Sequence, residues 1–274
     1  MTLLITGAKG QLGTVLRSLF PDAVTADKNE LDITDADAVN AFVKEYNIDA
    51  VINCAAYTAV DLAEDEYAMA EKVNVLGPLN LSKNVHRIIH ISTDYVFDGV
   101  GGRPYTEDDK PNPLSIYGKT KYLGENAVLM NAECGAVIRA SWLYSPYGSN
   151  FVKTMRRLGS EKDSLNVVFD QVGTPTSADD LAAAIKTVLS EINGNAVKLY
   201  HFSNEGVCSW YDFARAVLKM SGLNCHVNPI RSSEYPTKAT RPPYSVLDKG
   251  LIKTDFGISI NHWEESLEKC LKRF

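Results

Sequence analysis

The sequence has no apolar stretch approaching the roughly 18 residues that a membrane-spanning helix needs. Its first residues, Met1-Thr2-Leu3-Leu4-Ile5-Thr6, run into glycine without the basic start and longer apolar run of a secretory leader. Cysteine is sparse. Cys54, Cys134, Cys208, Cys225 and Cys270 are odd in number and contain no Cys-x-x-Cys pair, so they read as reduced thiols and not as a disulfide framework. A cytoplasmic protein is the expectation, and the sequon Asn80-Leu81-Ser82 then carries no meaning. Basic residues do not predominate: 28 Lys and Arg stand against 34 Asp and Glu, a net charge of −6. That argues against a general nucleic-acid binder while leaving room for a local basic pocket for a small anion. His86, His90, His201, His226 and His262 show no His-Glu-x-x-His or paired spacing, so no metal site is expected. The Gly-x-Ser-x-Gly elbow, the Walker loop, internal repeats and low-complexity segments are also missing.

What is present is an ordinary globular composition, 45% hydrophobic and 23% charged, which excludes disorder, collagen and coiled coil for the whole chain. The 274 residues suit one large α/β domain or a core with a small appended lobe. Short runs rich in Val and Ile predict strands at Leu3–Thr6, Ala23–Ala26, Ala50–Asn53, Arg87–Ser92 and Ala136–Arg139. Amphipathic stretches between them predict helices at Gln11–Phe20, Asp35–Tyr46, Tyr67–Lys83 and Ile116–Ala132, with Thr34 or Asp35 capping the second. The alternation predicts a parallel sheet with helices on both faces. The connection Leu76–Val85, ahead of the strand at Arg87, is about one turn shorter than such a crossover calls for. Beyond residue 142 the pattern loosens. Trp142–Ser149 reads as a loop, Asp179–Ile192, Tyr211–Met220 and His262–Lys272 as helices, and Lys198–Phe202 as a strand. Proline concentrates at Pro229, Pro236, Pro242 and Pro243, and the region reads as a smaller lobe interleaved with the sheet.

The first predicted strand leads directly into Gly7-Ala8-Lys9-Gly10-Gln11-Leu12-Gly13 and then a helix. Glycine permits the tight turn, lets backbone N–H groups approach a pyrophosphate, and allows close helix–strand packing. The helix N-terminus then faces the anion. Twenty residues past Gly7, after the second strand, stands Asp27, placed to accept hydrogen bonds from an adenosine ribose. Asp27 favours NAD because it repels a 2′-phosphate, and Lys28 offsets that repulsion, so NADH and NADPH both stay open. The whole predicts a Rossmann-type, doubly wound α/β fold.

Tyr117-Gly118-Lys119-Thr120-Lys121 puts Tyr117 and Lys121 on one helical face. A lysine there lowers the phenol's pKa and holds a ribose hydroxyl. With 13 tyrosines the spacing alone carries little weight. Context carries more: the pair opens the helix after a strand that ends in Ser92-Thr93-Asp94-Tyr95, and a hydroxyl at the carboxyl end of a parallel strand faces the ligand crevice. Thr93, Tyr117 and Lys121 form a set able to polarise a carbonyl and donate a proton. Free tyrosine, with a pKa of about 10, is a ready acid at neutral pH.

Several blocks then carry a resemblance: Gly7–Gly13, Asn53–Asp61, Ser92–Gly99, Tyr117–Lys121, Arg139–Tyr144, Asp170–Thr176 and Arg241–Asp248. The chain resembles the extended short-chain dehydrogenase/reductase family, in its dTDP-4-dehydrorhamnose reductase branch. The resemblance implies NAD(P)H-dependent reduction of the C4 keto group of a dTDP-4-keto-6-deoxy-sugar in nucleotide-sugar and polysaccharide biosynthesis. It implies a dinucleotide-binding core over 1–141 and about 164–204, with 142–163 and 205–274 mainly a substrate-binding lobe. Tyr117 would be the proton donor, Thr93 would bond the keto oxygen, and Lys121 would bind the nicotinamide ribose. Gly7, Gly10, Gln11, Leu12, Gly13, Asp27, Asp32, Ile33, Ala55, Ala56, Tyr57, Thr58 and Ile91 would line the coenzyme. Asp94 would reach the sugar, and Trp142 would be an apolar wall beside it or a plain core tryptophan. Arg241 would be a diphosphate partner or a surface salt bridge. Some family members carry a glutamate two residues after the third glycine, in a metal-bridged dimer. Here that residue is Val15, so no such metal is expected and the oligomeric state stays open. The short connection near Asn84 would alter the rim beside the coenzyme. A dehydratase of this fold would carry Thr-Asp-Glu where this chain has Thr93-Asp94-Tyr95. Another nucleotide-sugar reductase or epimerase remains an alternative. So does a non-catalytic dinucleotide-binding regulatory subunit like that of methionine adenosyltransferase.

Overall fold

A computed structural model describes residues 1–192 and 194–274. The first half is built of β1 (Leu3–Thr6), α1 (Gln11–Leu19), β2 (Val24–Ala26), α2 (Ala36–Glu45), β3 (Ala50–Asn53), α3 (Tyr67–Glu71), α4 (Gly77–Asn84), β4 (Arg87–Thr93), α5 (Ile116–Asn131) and β5 (Cys134–Ala140). The second half holds β6 (Leu143–Tyr144), α6 (Phe151–Glu161), β7 (Ser164–Val168), β8 (Val172–Gly173), β9 (Thr176–Ser177), α7 (Ala178–Glu191), β10 (Val197–Phe202), β11 (Cys208–Ser209), α8 (Trp210–Met220), β12 (His226–Ile230), α9 (Gly250–Phe256) and α10 (Trp263–Leu271).

Six strands form one parallel sheet in the order β10-β5-β4-β3-β1-β2. Side chains alternate faces along each strand. Leu3, Ile5, Ile52, Ile89 and Ile138 pack beneath α1, α7 and α9 through Leu12, Leu16, Leu181, Ile185 and Ile252. Leu4, Val51, Ile88 and Val137 pack beneath α2, α4 and α5 through Val39, Val43, Leu81 and Val128. Burial on both faces is why these strands read as continuous apolar runs. Val15 lies in the first of these cores, 6% exposed.

Asp35, not Thr34, caps α2: its Oδ1 accepts from the amides of Asp37 and Ala38, each at 3.0 Å. The Thr34 hydroxyl instead donates to Asp32 at 2.8 Å. The helix from Tyr67 to Asn84 is continuous but contains one π turn, Lys72–Leu76, between α3 and α4. Its close enters β4 at the amino end, where Arg87 stands beside Ala50. The short connection near Asn84 therefore lies at the pole of the sheet away from the carboxyl-end crevice. The expectation that it reshapes the coenzyme rim is corrected.

The later segments divide differently from the expected 164–204 boundary. β7 pairs with β12 in a separate two-stranded sheet and packs with α6, α8 and α10 around Val152, Leu165, Val167, Phe213, Val217 and Leu267. Only α7 and β10 of that stretch join the main sheet and its core, and α9 joins them from the far end of the chain. The helix α6 and the strands β7 and β12 escaped the sequence reading because their few apolar positions face only this small lobe. Among the described residues no helix is long and apolar enough to cross a membrane, and the five cysteines are free.

One buried ion pair ties α5 to the sheet. Arg139 Nε donates to Glu125 Oε1 at 2.9 Å and Nη2 to Oε2 at 2.7 Å, both residues being at most 2% exposed. The guanidinium also lies 5.1 Å over the Phe97 ring. Arg139→Leu leaves the Glu125 carboxylate buried and unpaired, so urea denaturation should show a loss of about 3–5 kcal/mol. The double change Arg139→Leu/Glu125→Met should recover most of it.

Candidate active site

The strand order reverses at β1: β2 lies on one side and β3 on the other. Open parallel sheets bind ligands at such a switch point, outside the carboxyl ends of the strands. Here a crevice of about 1130 Å³ occupies that place. Its floor is the glycine loop. Gly7 has φ +63°, and a Cβ there would stand 2.7 Å from the Ala55 amide nitrogen. A Cβ on Gly13 would collide with the Gly7 carbonyl, so α1 can sit this close only without side chains at both positions. Gly10 caps α1 and offers no side chain to its first-turn N–H groups, whereas Asp35, Ser115, Asn150 and Ser209 cap α2, α5, α6 and α8. Unfilled amides at the mouth of a crevice fit a diphosphate. Gln11, Leu12, Asp27, Asp32, Ile33, Ala55, Ala56, Tyr57, Thr58 and Ile91 line the same crevice. Hydrogen bonds from the Thr34 amide and hydroxyl hold the Asp32 carboxyl below its usual range.

The π turn explains how one wall is held. It turns Asn74 inward, where Oδ1 accepts from the Tyr57 amide at 2.8 Å and Nδ2 donates to the Tyr57 carbonyl at 3.2 Å. The same Nδ2 donates to Thr120 Oγ1 on α5 at 3.1 Å. Asn74 thus ties the 55–58 wall to the helix carrying Tyr117 and Lys121. Single-turn π insertions mark functional sites, but the i→i+5 shift leaves no residue-type signature, and the sequence reading missed Asn74.

Thr93 ends β4, and Ser115 caps α5 by accepting from the Gly118 amide at 3.1 Å. These two elements bring Thr93, Tyr117 and Lys121 to one side of the crevice. Burial pushes the Tyr117 phenol up to about 12, the neighbouring Thr93 hydroxyl pulls against that shift, and the charge of Asp94 adds to it. The expected lowering by Lys121 is not found: burial leads the shift, and the ammonium is not among its causes. Burial also pulls Lys121 down to about 8, against the charge of Glu125. Lys121 Nζ donates to the Ile91 carbonyl at 2.6 Å, leaving two of its three N–H bonds for other acceptors. Asp94, 2% exposed, is pushed up to about 6 by burial. Its Oδ1 accepts from the Thr93 hydroxyl at 3.1 Å, and the Ser245 and Thr93 hydroxyls both pull against the shift.

Trp142 forms the opposite wall. It adopts φ +47°, and its ring stacks on Trp210 at 3.6 Å between centroids and 9° between planes. A left-handed backbone at a bulky residue is uncommon and concentrates at functional sites. Trp210 also lines the crevice. The sequence reading missed it, because 68 positions separate the two tryptophans and only the lobe's folding onto the sheet stacks them. Gln11 Oε1 accepts from Ser145 Oγ at 3.1 Å and Asn150 Nδ2 at 2.9 Å, tying the glycine loop to the segment after Trp142. Arg241 is not itself in the crevice lining, but its charge acts on Tyr95, which is. Its Nη2 and Nη1 donate to the two Asp61 carboxylate oxygens at 2.7 and 3.1 Å, and Nη1 donates to the Ala239 carbonyl at 3.2 Å.

The family described as RmlD substrate binding domain matches residues 1–274. This chain belongs to that family. Among relatives, the spore coat polysaccharide biosynthesis protein SpsK of Bacillus subtilis (strain 168) is 41% identical over 98% of this chain and 96% of its own. A dTDP-4-dehydrorhamnose reductase of Aggregatibacter actinomycetemcomitans is 42% identical over 97% of both chains. A solved dTDP-4-dehydrorhamnose reductase from Bacillus anthracis str. Ames, in complex with NADP, superposes with a TM-score of 0.95 at 38% identity and covers all of both chains. Of the 53–61, 92–99 and 139–144 blocks, residues 54–58, Val60, 92–95, Ala140, Trp142 and Leu143 line the crevice. Asn74→Ala strips the Tyr57 amide and carbonyl of their partner, so a loss of about 1–3 kcal/mol should appear in urea denaturation. NADPH should also bind more weakly to that variant in a fluorescence titration.

Proposed function

We propose that the chain reduces the C4 keto group of dTDP-4-dehydro-L-rhamnose to give dTDP-L-rhamnose, with NADPH or NADH as hydride donor. The observation that carries this reading is that Thr93 and Lys121, both buried, and the half-buried Tyr117 line one crevice with the glycine loop. The family and the full-length likeness to named reductases support the same reaction.

The coenzyme, when bound, supplies the hydride that attacks C4. The unfilled amides of α1 and the loop Gly7–Gly13 would hold its diphosphate, Asp27 its adenosine ribose, and Lys121 its nicotinamide ribose. Thr93 donates a hydrogen bond to the keto oxygen in place of the one it gives Asp94 here. Tyr117 then delivers its proton to the oxygen as negative charge builds there. A phenol pushed up to about 12 is fully protonated at neutral pH and suited to act as an acid. The Lys121 ammonium stabilises the phenolate left behind. The Trp142–Trp210 stack offers an apolar wall to a 6-deoxy-sugar and keeps bulk water from the reacting carbon.

The reading accounts for each of Thr93, Tyr117 and Lys121 in one step, which a purely regulatory dinucleotide-binding role does not require. Enzymatically prepared dTDP-4-keto-L-rhamnose should oxidise NADPH or NADH stoichiometrically and yield dTDP-L-rhamnose. A folded, coenzyme-binding protein that oxidises neither would refute the assignment. Tyr117→Phe should keep coenzyme affinity and lose about 10²–10⁴-fold in turnover, the usual scale of a positioned general acid. The rate should also fall as pH rises through about 8, because Lys121 loses its charge there. Lys121→Arg, which keeps its charge, should move that alkaline limb upward in a plot of kcat/KM against pH.

A further inference from the structure

Trp142 holds its uncommon backbone, φ +47°, where the chain leaves β5 for the lobe. A bulky residue keeps a left-handed conformation only where its surroundings over-determine it. Two hydrogen bonds fix the turn: Ser141 Oγ donates to the Thr174 carbonyl at 2.7 Å, and the Thr176 amide donates to the Trp142 carbonyl at 3.1 Å. Two further contacts fix the ring. A Cβ on Gly173 would stand 2.7 Å from Trp142 Cε2, so the indole rests directly on bare backbone there. Trp210 covers the indole with a near-parallel ring. Gly173 ends β8 and Trp210 follows β11, and these two strands pair, with Cys208 opposite Gly173 and Ser209 opposite Val172. One small sheet of the lobe therefore delivers both contacts.

Trp210 is itself held. It opens α8, whose start is fixed by a reciprocal pair: the Ser209 hydroxyl accepts from the Asp212 amide at 3.1 Å, and the Asp212 carboxylate accepts from the Ser209 amide at 3.1 Å. The ring of Phe151, at the start of α6, lies 4.6 Å from the Trp210 ring. An indole so supported is a rigid platform, and aromatic pairs stabilise beyond the area they bury. We propose that Trp210 is a positioning residue: acting through Trp142, it sets the affinity of this site for the sugar end of its sugar nucleotide. It takes no part in the hydride or proton step. Without the stack, the Trp142 backbone is free to relax out of the left-handed region and the indole leaves its place. The apolar wall is then lost while Thr93, Tyr117 and Lys121 stay where they are. The lobe thus completes the wall, through a residue 68 positions from the one that forms it.

The inference rests on the reduction reading under Proposed function. Steady-state kinetics with dTDP-4-keto-L-rhamnose and saturating coenzyme would be measured on the full chain and on Trp210→Leu, Trp210→Phe, Trp142→Ala and Trp142→Ala/Trp210→Leu, each checked for folding by thermal melting. Trp210→Leu should raise the sugar KM about three- to tenfold, the scale of one stacked aromatic pair. Its kcat should change less than about twofold, as for a lost ground-state contact. Trp210→Phe keeps a ring face and should bring KM back to within about twofold of wild type. The double variant should match Trp142→Ala, since Trp210 then has nothing to position. Gly173→Ala pushes the same indole from β8 and should raise KM with α8 intact. Ser245→Ala is its control, because the new methyl would also stand 2.9 Å from the Ser245 hydroxyl oxygen. An unchanged KM in Trp210→Leu overturns the proposal, as does a Trp210→Phe variant no better than Trp210→Leu. A Trp210→Leu loss that persists in full on top of Trp142→Ala overturns it in favour of direct contact between Trp210 and the sugar. Should Trp210→Leu not fold, Gly173→Ala decides: no rise in KM beyond that of Ser245→Ala overturns the proposal. A wild-type chain that turns over no dTDP-4-keto-L-rhamnose overturns the functional reading itself, a result distinct from all of these.

Discussion

Helix α5 can present Tyr117 and Lys121 to the crevice only because it lies almost in contact with two backbones. A side chain on Gly118 would collide with the Tyr95 carbonyl, and one on Gly124 with the Asn74 carbonyl. With both absent, the helix settles against the end of β4 on one side and the π turn on the other. The Ser115 cap sets where it starts, and the Glu125–Arg139 pair pins its middle to β5. Protein interiors transmit small displacements because they are close-packed. A shift of α5 would move the phenol, the ammonium and the Asn74 clamp on Tyr57 together.

That close docking also sets the electrostatics. Tyr117 and Asp94 are pushed up and Lys121 is pulled down, each chiefly by loss of water. Desolvation favours the uncharged form of every group, whatever its sign. The result is a protonated phenol beside an ammonium poised near neutrality, a pairing suited to giving a proton to an oxygen that gains charge. Lys121 serves less by tuning the resting phenol than by being present when a phenolate appears. By contrast the Lys9–Glu30 ion pair near the end of β2 is largely exposed, and such a pair is weaker and easily exchanged.

The strands β1 and β3 and the helices α1 and α2 were legible because parallel strands buried on both faces are uniformly apolar and these helices carry one apolar stripe. Gly7–Gly13 and Asp27 were legible because a phosphate cradle constrains residue type at each step. The lobe was less so. The helix α6 and strands β7 and β12 face a small core, and the β7–β12 pairing joins segments 62 residues apart at His226↔Ser164. Asn74 and Trp210 escaped notice for a related reason. A π turn and a stacked ring are relations between segments, and no local pattern encodes them.

Local residue types by themselves determined the alternating α/β order, the glycine cradle, and the four-residue spacing that sets Tyr117 and Lys121 on one helical face. Each depends on steric and hydrogen-bonding needs that operate within a few residues. Only the tertiary structure decided the rest. It stacked Trp142 on Trp210, engaged Arg241 with Asp61, hung Tyr57 from Asn74, and reversed the expected shift at Tyr117. Those outcomes depend on which distant surfaces exclude water together, and burial is a property of the folded whole.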